Sequence, residues 1–89
     1  MPANRKLLIF TAIWCRPCQQ LKPYLKDLED FIECNIIDTD DDPALTQQYN
    51  IRGVPTIVLV EDDKELARTV GVQSASKIKD WINNVVTKH

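Results

Sequence analysis

"KLLIFTAIWCRPCQQLKPYLKDL", residues 6–28, carries two periodicities and changes from one to the other at a pair of cysteines. Its first part, Lys6 to Trp14, is short, almost wholly apolar and rich in strand formers. That is how a central strand buried on both faces reads. From Pro17 onward, Leu21, Tyr24, Leu25, Leu28 and Ile32 recur at helical intervals. Pro17 suits a first helical turn, where its missing N–H costs nothing. Pro23 lies deeper and is expected to kink the helix rather than end it, because the apolar period continues beyond it. The junction between strand and helix is therefore Cys15-Arg16-Pro17-Cys18.

Residues three apart at a helix start share one face, with Cβ atoms about 5–6 Å apart. A disulfide spans about 3.5–4.5 Å, so small adjustments reach both the open and the closed state. A bridge across so short a loop constrains the unfolded chain little, which makes it a poor staple and a well-placed switch. At a helix N-terminus, unpaired N–H groups and the helix dipole favour an anion, and Arg16 adds a full positive charge beside it. Cys15 is accordingly expected to ionise more readily than a free thiol. Cys18, turned inward, is expected to keep its proton. The pair then divides its work: Cys15 attacks and Cys18 resolves.

The other reading of two such cysteines is half of a zinc site. Zinc needs four ligands, and only Cys34 and the terminal His89 remain, neither suitably spaced. Three cysteines are too few for a disulfide-stapled miniprotein, and in a reducing compartment a CxxC pair points to redox chemistry or metal. Cys34 alternates with Ile32 and Ile36 and is expected to be a small buried apolar residue.

Outward from the junction, "FIECNIID" (31–38) overlaps the helix end and then reads as a second strand, parallel to the first with a right-handed crossover. Asp42 is a helix cap, Pro43 opens a short helix through Tyr49, and Asn50 is a left-handed cap at its end. "TIVLV" (56–60) and "ELARTV" (65–70) flank the turn "EDDK" as a hairpin. Gly71 breaks the pattern. Ser74 or Ser76 then caps a last helix that turns Ile78, Trp81, Ile82 and Val85 inward. Asp38, Asp40, Asp41 and Asp42 lack the glycine and distal glutamate of a calcium loop, so they read as a solvated turn and cap. The order is β-α-β-α-β-β-α, an α/β chain with a four-stranded mixed sheet between helices.

With 89 residues, 44% hydrophobic and 27% charged, the chain suits one domain with one core. A net charge of −2, with basic and acidic residues interspersed, gives no nucleic-acid or anionic-membrane footprint. No apolar run reaches the ~18–20 residues of a membrane span, and the N-terminus has no signal-type cleavage region. A cytoplasmic protein is expected, or one exported only in a form already processed.

"WCRPC", then "IRGVPT" (51–56), then "VG" (70–71) before the last helix together resemble the thioredoxin family, over about Leu7 to Val86. The resemblance implies a thioredoxin-like fold trimmed of the usual N-terminal strand and helix. It implies a protein-disulfide reductase cycling Cys15 and Cys18 between dithiol and disulfide. Pro55 would be cis and face the cysteines, with Val54 pairing through its backbone with an extended substrate segment. Trp14, Arg16, Pro17, Gly71 and Val72 would complete the substrate-binding rim. No bound cofactor is implied. Electrons would come from NADPH through a flavin-dependent thioredoxin reductase, the partners would be disulfide-containing proteins, and the protein would be a monomer.

This chain departs from the family where an aspartate is commonly buried beneath the resolving cysteine with a lysine beside it, since Ile9 and Ile36 stand there. Arg16 also replaces a glycine. A glutaredoxin that uses glutathione is the neighbouring alternative, weakened because "VGVQS" has one glycine and no acidic residue. An adaptor that only binds partners through the same fold is the alternative from another class.

Overall fold

The computed structural model describes residues 4–88; His89 lies outside them. Seven elements follow one another: β1 (Arg5–Thr11), α1 (Arg16–Glu29), β2 (Glu33–Asp38), α2 (Pro43–Gln48), β3 (Thr56–Glu61), β4 (Lys64–Val70) and α3 (Ala75–Lys88). No strand or helix precedes β1 among the described residues. The sheet order is β2-β1-β3-β4. β1 runs parallel to β2 and antiparallel to β3, and β3 pairs antiparallel with β4.

The two inner strands are apolar on both faces because both faces are covered. Leu7 and Ile9 of β1, with Ile57 and Leu59 of β3, pack against Leu21, Leu25 and Leu28 of α1 and Ile78 and Ile82 of α3. On the reverse face Leu8, Phe10, Val58 and Val60 meet Leu45 and Tyr49, which anchor α2. Trp81 is half-buried against the first of these clusters.

Local signals hold where they rest on backbone chemistry. The Asp42 carboxylate accepts the Leu45 N–H at 3.0 Å and caps α2, and Asn50 takes φ 53° after it. Asp62 and Asp63 have φ of 51° and 69°, the pair of positive values that a two-residue hairpin turn of right-handed twist requires. Ser74, rather than Ser76, caps α3, its Oγ accepting the Lys77 N–H at 3.4 Å. α1 continues unbroken through Pro23.

Several boundaries move. β1 ends at Thr11, not Trp14, because the chain turns there and the Cys15 N–H bonds back to the Ala12 carbonyl at 3.1 Å. β2 starts at Glu33, after the expected overlap with the helix end, where the Phe31 and Ile32 N–H groups still cap α1 through the Leu28 carbonyl. The expected burial along β2 is also corrected. Cys34 is only half-buried and Ile36 is 56% exposed, because β2 is an outer strand and Ile36 sits at the mouth of an open cleft beside α1.

Candidate active site

The short turn after β1 delivers Cys15 to the N-cap of α1, in an extended conformation (φ −89°, ψ 112°). There its sulfur accepts the Cys18 N–H at 3.3 Å, an unusual cap in which Sγ replaces the customary oxygen. Cys18 follows in the first turn on the same face. Both thiols are free, with Cys15 5% and Cys18 1% exposed. They pack with Ala12 and Val54.

Val54 comes from the opposite side of the site. Its peptide to Pro55 is cis, and its carbonyl accepts the Cys15 S–H at 3.6 Å. Thr56 Oγ1 donates to the Gly53 carbonyl at 2.6 Å and fixes this loop. Gly71 joins it, donating its N–H to the Pro55 carbonyl at 2.9 Å at a φ of 100° that favours glycine. Trp14 projects outward, 72% exposed, and Arg16 and Pro17 are exposed beside it. Val72, next to Gly71, is half-buried and packs against the larger core cluster.

Sequence reading missed Asp40, whose Oδ2 accepts the Trp14 indole N–H at 3.1 Å. The two residues are 26 apart and no local pattern joins them. It also missed Arg52, which shares a cleft with Trp14, Gly53 and Val54. Among the described residues no group of three or more His, Cys, Asp or Glu side chains is arranged to hold a metal ion.

A family model described as Thioredoxin matches residues 2–84. The chain belongs to the thioredoxin family. The thioredoxin of Chlamydia caviae is 37% identical over 86 residues, covering 93% of this chain and 80% of the relative. That of Rickettsia bellii is 33% identical over 82 residues, 88% of this chain and 78% of the relative. Among solved structures, a mutant thioredoxin from Halobacterium salinarum superimposes with a TM-score of 0.85 at 37% identity, covering 92% of this chain and 74% of that one. This thioredoxin-family protein is a dithiol–disulfide oxidoreductase, with Cys15 and Cys18 spaced as the family's CxxC pair.

The two cysteines of this thioredoxin-like site differ in depth, and the difference has a pH consequence. Burial pushes the Cys18 thiol up from an ordinary 9.0 to about 11, and its hydrogen bond with Cys15 adds to the rise. Cys34 is also pushed up to about 11, by burial and then by Glu29 and Glu33. A thiol that holds its proton more tightly when folded stabilises the fold while the unfolded chain is still protonated. That contribution is complete below about pH 9 and is lost as pH rises through about 11. Urea denaturation of the reduced protein should therefore show stability falling between about pH 8 and 11, with a smaller fall in Cys18→Ala. An equal fall in the two proteins would remove Cys18 as the cause.

Proposed function

We propose that this oxidoreductase is a protein-disulfide reductase in which Cys15 attacks and Cys18 resolves. The Cys15 thiolate attacks one sulfur of a substrate disulfide, forms a mixed disulfide and releases the other substrate sulfur as thiolate. Cys18 gives up its proton and attacks Cys15 Sγ. The second substrate thiolate leaves, and a Cys15–Cys18 disulfide remains. The observation that carries this order is the Cys18 N–H aimed at Cys15 Sγ, a donor already in place where negative charge develops. Cys18, deeper and held protonated, is poorly suited to the first attack.

Trp14, Arg16, Pro17, Val54, Pro55 and Gly71 form the rim on which an extended substrate segment docks, with the backbone at Val54 supplying sequence-tolerant hydrogen bonds. Val72, half-buried against the core beside Gly71, completes this rim. The cycle is completed by NADPH through a flavin-dependent thioredoxin reductase. The protein acts as a single-domain monomer in the cytoplasm. In support, basic and acidic residues are interspersed at a net charge of −2, and no described helix is long and apolar enough to cross a membrane.

Trapping tests the order of attack. In Cys18→Ser, a disulfide probe such as dithiobis(nitrobenzoate) should leave a stable adduct on Cys15, identified by peptide mass. An adduct carried by Cys34 instead would overturn the assignment.

A further inference from the structure

Cys18 must lose a proton before it can attack, and the surfaces it packs against, Ala12 and Val54, offer no base. On another side Cys18, itself 1% exposed, borders a cleft. This cleft of about 540 Å³ runs between the start of α1 and the end of β2, bordered by Cys18, Gln19, Lys22, Ile36 and Asp38. At about 30 Å³ per molecule, that volume accommodates a chain of waters. We propose that Asp38 accepts the Cys18 proton through water in this cleft, which makes it the base of the resolving step.

The titratable groups facing this space are Cys18 and Lys22 from α1 and Asp38, Asp41 and Asp42 from the end of β2 and the turn after it. Lys22 is cationic and favours a thiolate, but it has no lone pair to receive a proton. Asp42 is committed to the α2 cap and exposed, and Asp41 is exposed as well. Asp38 differs from both. It is half-buried and pairs in register with Thr11 of β1, at the level where the chain turns toward the cysteines. Its Oδ1 accepts the Asp40 N–H at 2.8 Å, and the Thr39 N–H bonds to the Thr11 carbonyl at 2.9 Å. These bonds fix the carboxylate at the border of the cleft.

The step balances. The Cys18 S–H proton passes through water to the Asp38 carboxylate, the Cys18 sulfur forms a bond to Cys15 Sγ, and the mixed-disulfide bond breaks. The departing substrate thiolate carries away the electron pair. Asp38 returns its proton to solvent along the same cleft.

The proposal rests on the assignment of attack to Cys15 and resolution to Cys18, and the test keeps the two apart. In the full chain carrying Cys34→Ala, which removes the third thiol, dithiobis(nitrobenzoate) releases two nitrothiobenzoate equivalents, the first on attack by Cys15 and the second on resolution by Cys18. Stopped-flow absorbance resolves them. Asp38→Asn keeps the Oδ1 acceptor for the Asp40 N–H, so the turn stays intact. In this variant the first release should be unchanged. The second should slow about 100-fold at pH 7, the low end of what a positioned base contributes. Between about pH 6 and 9 its rate should then climb about tenfold per pH unit, as hydroxide replaces the lost base, while the wild-type rate climbs less steeply. Asp38→Glu should restore most of the rate, and Asp41→Asn should leave both releases unchanged. A second release within about twofold of wild type at every pH, or an equal loss in Asp41→Asn, would overturn the proposal. A first release that does not come from Cys15 would instead overturn the assignment beneath it.

Discussion

Cys15→Ser should lower the turnover of insulin reduction by roughly a thousandfold or more, with thermal stability nearly unchanged. A serine hydroxyl is far weaker than a thiolate as a nucleophile toward sulfur, and neither remaining cysteine can replace it. Cys18 lies 1% exposed and holds its proton up to about pH 11. Cys34 stands on the outer strand, half-buried and likewise pushed up to about 11. Serine preserves the local hydrogen bonds, because its Oγ can accept from the Cys18 N–H and donate to the Val54 carbonyl as the sulfur does. The loss of turnover is thus a loss of chemistry rather than of fold. Turnover within about tenfold of wild type would assign the nucleophile elsewhere. The variant also separates enzyme from adaptor. An adaptor using the same rim keeps its biological activity when both cysteines become serine, whereas a reductase loses it.

What could be read from the sequence divides along a physical line. Signals carried by backbone chemistry within a few residues were legible: the Asp42 cap, the left-handed Asn50 and the Asp62-Asp63 turn all follow from local φ/ψ and hydrogen-bond demands. The apolar stretches at 7–10 and 57–60 were legible because a strand covered on both faces has no polar positions. The cysteine junction was legible because its spacing fixes its geometry. Facts that depend on tertiary neighbours were not. Ile36 reads as a core residue by alternation, yet it is exposed because β2 is an outer strand and Ile36 borders the open cleft beside α1. The aspartates of 38–42 read as a solvated turn ending in the Asp42 cap. They have separate tasks, since Asp42 caps α2, Asp40 holds the Trp14 indole and Asp38 borders the Cys18 cleft.

Phe10→Ala should cost about 3–5 kcal/mol, a large share of the ~5–15 kcal/mol that holds a domain of this size together. Phe10 is wholly buried on the face of the sheet that α2 covers, with its ring centroid 5.7 Å from that of Tyr49 in a tilted pair. α2 is a six-residue helix with no fully buried residue of its own, so Leu45, Tyr49 and the sheet face hold it in place. Removing the ring opens a cavity where that short helix docks, and little else is available to close it. The consequence should reach the active site, because Val54 packs both against this cluster and against Ala12, Cys15 and Cys18. A loosened α2 lets the Val54 loop drift from the Cys15 thiol, and productive alignment is lost with small displacements. Urea denaturation should show the stability loss. Insulin reduction, measured where the variant is still folded, should fall several-fold, even though Phe10 does not belong to the group that packs around the cysteines. A stability loss below about 1.5 kcal/mol would mean that α2 collapses onto the sheet and refills the space. Full activity at the expected loss would mean instead that the Thr56 and Gly71 hydrogen bonds hold the Val54 loop without help from the face beneath it.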